Sequence, residues 1–162
     1  KMIAGRDSLS AKRQVFFVSL GGFDTHDNIL TDHPVLMTKV GTALNAFHST
    51  MVELGISDKV TAFTASDFGR TLTTDGDGSD HGWGSMHFVL GGAVKGKNYY
   101  GKPPEIANNG ADDVGQGRLL PGISVDQLGA TLATWFGVSD SELTTVLPNI
   151  SNYSLKNLGF IM

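Results

Sequence analysis

Hydrophobic positions along this chain fall into short unbroken runs and one long helical stripe. Gln14–Leu20 (QVFFVSL) is nearly all apolar and of strand length, which predicts a central parallel strand covered on both faces. Further on, Leu36, Val40, Leu44, Phe47, Met51 and Leu54 recur at steps of four, four, three, four and three, one face of a helix. Thr31 or Asp32 can cap that helix, Pro34 sits near its first turn, and Gly55 can stop it. Val60–Thr64 (VTAFT) predicts a second buried strand, His87–Leu90 a third, and Asn98–Tyr100 a short one that enters a turn at Gly101. Val125–Phe136 predicts a second helix, capped at Ser124, with Val125, Leu128, Leu132, Trp135 and Phe136 on its buried side. Ser139–Leu147 predicts a short third helix that ends before Pro148. Residues 1–12 read as the end of a weakly amphipathic helix, 101–122 as a long surface excursion, and 149–162 as an irregular, partly apolar tail.

Strand, helix and strand in that order, joined over roughly forty residues, form a parallel crossover unit. The expected fold is therefore a single α/β domain over residues 1–162. Parallel strands send their following loops out of the same sheet edge, where ligands collect in open α/β folds. Asp24 and His26 after the first strand should then face Asp67, Asp80 and His81 after the second.

Composition narrows the partners more than the fold. The chain has 162 residues, 21 of them Gly, in no short repeat, so the glycines belong to loops at strand ends. A net charge of −4 and no stripe of Lys and Arg argue against nucleic acid. There is no Cys, which excludes a disulfide scaffold or a thiolate metal site. No apolar run reaches the roughly 18 residues needed to span a bilayer, and no signal peptide is visible. The opening at Lys1, inside what reads as a helix tail, suggests the C-terminal part of a longer protein.

The candidate chemistry gathers in two Gly-led loops, Gly21–Asn28 (GGFDTHDN) and Thr64–Gly84 (TASDFGRTLTTDGDGSDHGWG). His26 and His81, with Asp24, Asp67 and Asp80, offer the mixed nitrogen and oxygen donors that suit zinc, manganese or another borderline divalent ion. The plainer alternative is that the acids cap turns and the histidines are simply exposed. Arg70 offers a planar fork for a phosphate, sulfate or carboxylate, or else a salt bridge to a neighbouring acid such as Asp67. Trp83 can wall a pocket or simply pack, and His87, at the start of an apolar strand, reads as a core or edge histidine. The run from Asp75 to Met86 is not a calcium-binding EF-hand, because Asp80 and Met86 hold its Gly and Glu positions. Ser66 lacks the flanking glycines of a nucleophile elbow, and neither a P-loop nor a dinucleotide fingerprint occurs.

Three phrases together, GGFDTHDN (21–28), TASDFGRT (64–71) and GSDHGWG (78–84), resemble the C-terminal half of a bacterial, twin-arginine-exported, sulfatase-like family of the alkaline phosphatase superfamily. FVLGGAVKG (88–96) and GRLLPGISVDQLGATLATWFGV (117–138) support the resemblance. It implies a doubly wound, mostly parallel sheet flanked by helices, a periplasmic or secreted location, and a two-metal phospho- or sulfo-ester hydrolase site. Carried over by motif, Asp24, His26, Asp67 and His81 hold metal, zinc first with manganese or calcium as alternatives, and Arg70 contacts a small anionic ester. Phe68 stands where that superfamily often has a further His. The nucleophile would lie in an N-terminal half of the same protein, so the chain alone is expected to be inactive. The alternative function is a non-catalytic binding or assembly module on the same scaffold.

Overall fold

The computed structural model describes all residues from Lys1 to Met162. Helix α1 (Ile29–Glu53) is followed by β1 (Thr61–Phe63), β2 (Gly69–Thr74), β3 (Ser79–Gly82), β4 (Val89–Gly91), α2 (Val125–Phe136) and α3 (Leu143–Val146). One 3₁₀ turn, Ser57–Lys59, leads into β1, and another, Pro148–Asn152, follows α3. No helix is long and apolar enough to cross a membrane.

The doubly wound parallel sheet is not formed. The strands make two separate antiparallel pairs, β1 with β4 and β2 with β3. Gln14–Leu20 forms no strand and makes no backbone hydrogen bond, so it does not run beside β1. An apolar run states that a segment suits a sheet interior, but not which neighbour takes its N–H and C=O groups. Here β1 finds that neighbour in β4, to which the chain returns after the β2–β3 hairpin. Residues 1–12, expected as a helix end, form no helix and are a series of turns over 2–10, and Asn98–Tyr100 forms no strand.

The open segment leaves a large apolar surface. Val15, Phe17 and Val18 are 81%, 93% and 87% exposed. The whole chain exposes 10967 Å², against about 7,800 Å² for a compact monomer of the same mass. Arg13 holds the start of this stretch by donating to the Phe136 carbonyl, a cation at the negative end of α2. With no ladder bonds to break, the amides of residues 15–20 are expected to exchange with deuterium at unprotected rates while those in α2 stay protected. Slow exchange across 15–20 would show that the segment is paired.

The helices follow the periodic pattern. In α1, Leu36 and Met51 are buried, and Val40, Leu44 and Phe47 are half-buried on the same face. The helix starts at Ile29, before Thr31, with Asn28 in a left-handed conformation as its cap. Ser124 caps α2 through a capping box: its hydroxyl accepts from the Asp126 amide, and Gln127 accepts from the Ser124 amide. Val125, expected on the inner face, is 79% exposed at the first turn. The main core lies at this end, where Ala130, Leu143 and Ile150 are buried and Leu147 and Tyr153 pack beside them. The tail returns to the rest of the chain. Phe160 is buried beside Tyr100, and Met162 donates to the Ala93 carbonyl.

The surface excursion is ordered by Asp113. Its carboxylate accepts from the amides of Asn109, Gly115 and Gly117 at 2.7, 2.8 and 2.9 Å. These bonds, that from Asn109 foremost, hold its pKa below the ordinary carboxylate value. The folded value is the lower one, so its stabilisation is full above the unfolded pKa near 3.9 and lost as pH falls through the folded one. Acid unfolding of Asp113→Asn is expected to lack this component, seen as a shallower loss of stability below about pH 4. An unchanged acid limb would refute that role.

Candidate metal centre

Two segments far apart in sequence build the centre. The first is the loop Gly21–Asn28, pinned at its start where Gly22, with φ of 99°, lies against Leu36 of α1. The second is the β2–β3 hairpin, closed by Asp75-Gly76-Asp77-Gly78 with Gly76 at φ 143°. The Thr74 hydroxyl folds into this turn and donates to the Gly76 and Gly78 carbonyls at 2.8 Å.

The hairpin end lies directly on the loop. The Ser79 amide donates to the Thr25 carbonyl at 3.3 Å, and the Ile29 amide to the Asp77 carbonyl at 3.1 Å. Only glycine fits at position 78, since a Cβ there would fall on the backbone of Thr25 and His26. On the other side of the hairpin, Arg70 of β2 and His81 of β3 are direct cross-strand partners. The register then slips, with Thr71–Thr73 facing Asp80 alone, a bulge of the kind that re-aims side chains. The Thr71 hydroxyl accepts from the Asp80 amide at 3.1 Å and fixes that bulge.

Asp24, His26 and His81 therefore meet, with one ligand atom from each lying within 4.8 Å of the others. Asp24 Oδ1 is 2.7 Å from His81 Nε2 and 2.9 Å from His26 Nε2. The two Nε2 atoms are 3.3 Å apart. Two ligands at zinc-like bond lengths in a tetrahedron stand about 3.3 Å from one another, so the imidazole pair has the spacing such an ion requires. Asp24 stands closer than that edge, as a hydrogen-bond acceptor does. The cluster faces solvent, with the Asp24 side chain 57% exposed.

The supporting contacts are asymmetric. His26 Nδ1 lies 3.2 Å from Asp75 Oδ2, the carboxylate–histidine arrangement that orients metal-binding imidazoles. His81 has no such partner on Nδ1; its ring lies flat on Phe68, with centroids 3.9 Å apart and planes 3° from parallel. Arg70 Nη1 donates to Asp24 Oδ1 at 3.0 Å, and its other nitrogens donate to Ser79 Oγ and the Ser79 carbonyl. His81 first, then Arg70, holds the Asp24 carboxyl below its ordinary pKa, which keeps the oxygen ionised as a ligand. Asp80 is also lowered, chiefly by the hydrogen bond from the His81 amide at 2.7 Å. Thr25, between two members of the triad, is buried, and its hydroxyl has no hydrogen-bond partner.

Of the residues singled out by sequence, Asp24, His26 and His81 converge, while Asp67 is exposed and lies outside the group. Arg70 pairs with Asp24, not with Asp67. Trp83 is 63% exposed. Asp75 and Phe68 support the two imidazoles, and neither role was read from sequence. The hairpin carried a usable signal, because Thr71–Thr74 and Ser79–Gly82 flank two Asp-Gly pairs.

Comparison with known families corrects the resemblance drawn from the three motifs: no sulfatase or alkaline phosphatase family is detected, and the match is to a different one. No curated protein and no solved structure matches the chain. The matching model spans residues 1–149, and the chain belongs to the family described as "Protein of unknown function (DUF1501)".

Proposed function

We propose that this protein binds one divalent metal ion through Asp24, His26 and His81 and uses it to hydrolyse a small anionic phospho- or sulfo-ester. The observation that carries the reading is the convergence of two imidazoles and one carboxylate on a single exposed point. Two nitrogens and one oxygen suit zinc or manganese better than calcium, which takes six to eight oxygen ligands. Three protein ligands with an open side is the layout of catalytic centres, whereas structural sites close all four positions.

When bound, the ion supplies a positive charge and Lewis acidity toward an ester oxygen. The residues of the chain hold and orient the ligands. Asp75 orients His26, and Arg70 holds Asp24 ionised and in place. With its guanidinium committed to Asp24 and Ser79, Arg70 acts as a positioning group in this reading, and the anionic ester is drawn to the ion.

A second reading, a non-catalytic assembly module, is favoured by the exposed, unpaired stretch Gln14–Leu20. In that reading an N-terminal half of the same protein supplies the covering strands. A panel of phosphate and sulfate esters, assayed on the full-length protein with added zinc or manganese, separates the two. The hydrolase reading expects turnover that a chelator removes; metal binding without turnover on any ester would leave the assembly reading.

A further inference from the structure

We infer that Phe68 is a positioning residue for the metal centre, holding His81 in its ligand orientation by ring stacking. The inference rests on the metal reading above and adds to it the group that performs, for one imidazole, what a carboxylate performs for the other.

The two histidines reach Asp24 from opposite supports. His26 is oriented through Nδ1, 3.2 Å from Asp75, which fixes both ring plane and tautomer. His81 makes its side-chain hydrogen bonds only through Nε2, to Asp24 and to His26. Its Nδ1 has no protein partner, so no second hydrogen bond fixes the ring from the side away from Asp24. Phe68 supplies the missing restraint, with centroids 3.9 Å apart and planes 3° from parallel. A flat ring laid along an imidazole restricts its rotation, because turning the imidazole breaks the face-to-face contact.

Phe68 also lies under Arg70, whose guanidinium carbon is 5.7 Å from the ring centroid. The same phenyl ring therefore touches the two groups, His81 and Arg70, that converge on Asp24 Oδ1 from the hairpin side. Its position follows from the fold: Phe68 immediately precedes β2, and Arg70 and His81 are paired across β2 and β3. An aliphatic side chain of similar bulk can fill the space but cannot present a flat face. Shape, more than apolarity, is the property at stake.

Calorimetric titration with Zn²⁺ alone tests this on the wild-type chain, Phe68→Leu and Phe68→Tyr. Loss of an outer-shell partner typically costs 10- to 100-fold in affinity, so Phe68→Leu is expected to bind about tenfold more weakly. Phe68→Tyr, which keeps the ring, is expected to restore binding. Equal affinity in wild type and Phe68→Leu, or no recovery in Phe68→Tyr, overturns the assignment.

A metal-free readout separates this claim from the metal reading. In the proton NMR spectrum of the apo chain, the His81 ring protons are expected upfield, shielded by the stacked phenyl. That displacement should vanish in Phe68→Leu and persist in Phe68→Tyr. If wild type fails to bind Zn²⁺, the metal reading falls and the His81 shift alone decides the stack. If Phe68→Leu fails to fold, the wild-type shift decides it, with unshielded His81 protons as the contrary result.

Discussion

Asp24→Ala is expected to lose metal binding altogether within a practical concentration range, while Asp67→Ala binds like wild type. Asp24 Oδ1 lies 2.9, 2.7 and 3.0 Å from His26 Nε2, His81 Nε2 and Arg70 Nη1, the last two as hydrogen bonds. Removing it takes away a ligand and the acceptor that gathers the other groups. The loss should exceed the roughly 10- to 100-fold expected for an outer-shell partner. It also leaves Arg70, whose side chain is only 17% exposed, without its carboxylate, so some stability is lost as well. Asp67 lies outside the triad and serves as the control. Titration of both variants with Zn²⁺ checks the pair of outcomes; the reverse order of effects would place the ion elsewhere.

Gly78→Ala is expected to be the second most damaging change, although position 78 holds no ligand. The added Cβ would fall on backbone atoms of Thr25 and His26, which cannot move aside as a flexible side chain would. The hairpin must then lift from the loop, stretching the Ser79-to-Thr25 and Ile29-to-Asp77 bonds. Overpacking of this kind costs about 1–3 kcal/mol. The site should suffer more than the fold, since the lift separates His81 from Asp24 and His26. Gly21→Ala, whose Cβ meets nothing within 4 Å, is the matching control and should be close to neutral. Thermal unfolding and Zn²⁺ titration of the two variants measure both consequences.

The two long helices were legible in the sequence, and the three residues that the structure brings together were all among its candidates, each for a physical reason. Periodic apolar positions over α1 and α2 report a face directly, and Ser124 with Gln127 is a capping signature readable without coordinates. Asp24, His26 and His81 stood out as mixed nitrogen and oxygen donors in Gly-led loops after expected strands, with capping acids and exposed histidines as the plainer alternative.

Strand pairing was not legible. Gln14–Leu20 has the composition of a central strand, yet nothing in its five apolar residues names a neighbour, and in the structure it has none. The parallel crossover was inferred from chain order, and the antiparallel β1–β4 pair replaces it. The triad nevertheless assembles, by another route. A hairpin turn, with Gly78 against the Thr25–His26 backbone, carries His81 to the loop, where parallel strand exits were expected to do so. Asp67 was grouped with the others because it follows an expected strand end, but it precedes the hairpin and is left outside. Phe68 and Asp75 act only through contact with a histidine, and contact across tens of residues leaves no local pattern.

The central claim is that the loop at 21–28 and the hairpin at 69–82 deliver three ligands to one ion. Equilibrium dialysis of the folded chain against Zn²⁺, followed by elemental analysis of the retained metal, tests it most directly. The account predicts about one ion per wild-type chain and none in a His26→Ala/His81→Ala double variant. A wild-type chain that retains no metal, or a double variant that keeps its ion, would contradict it.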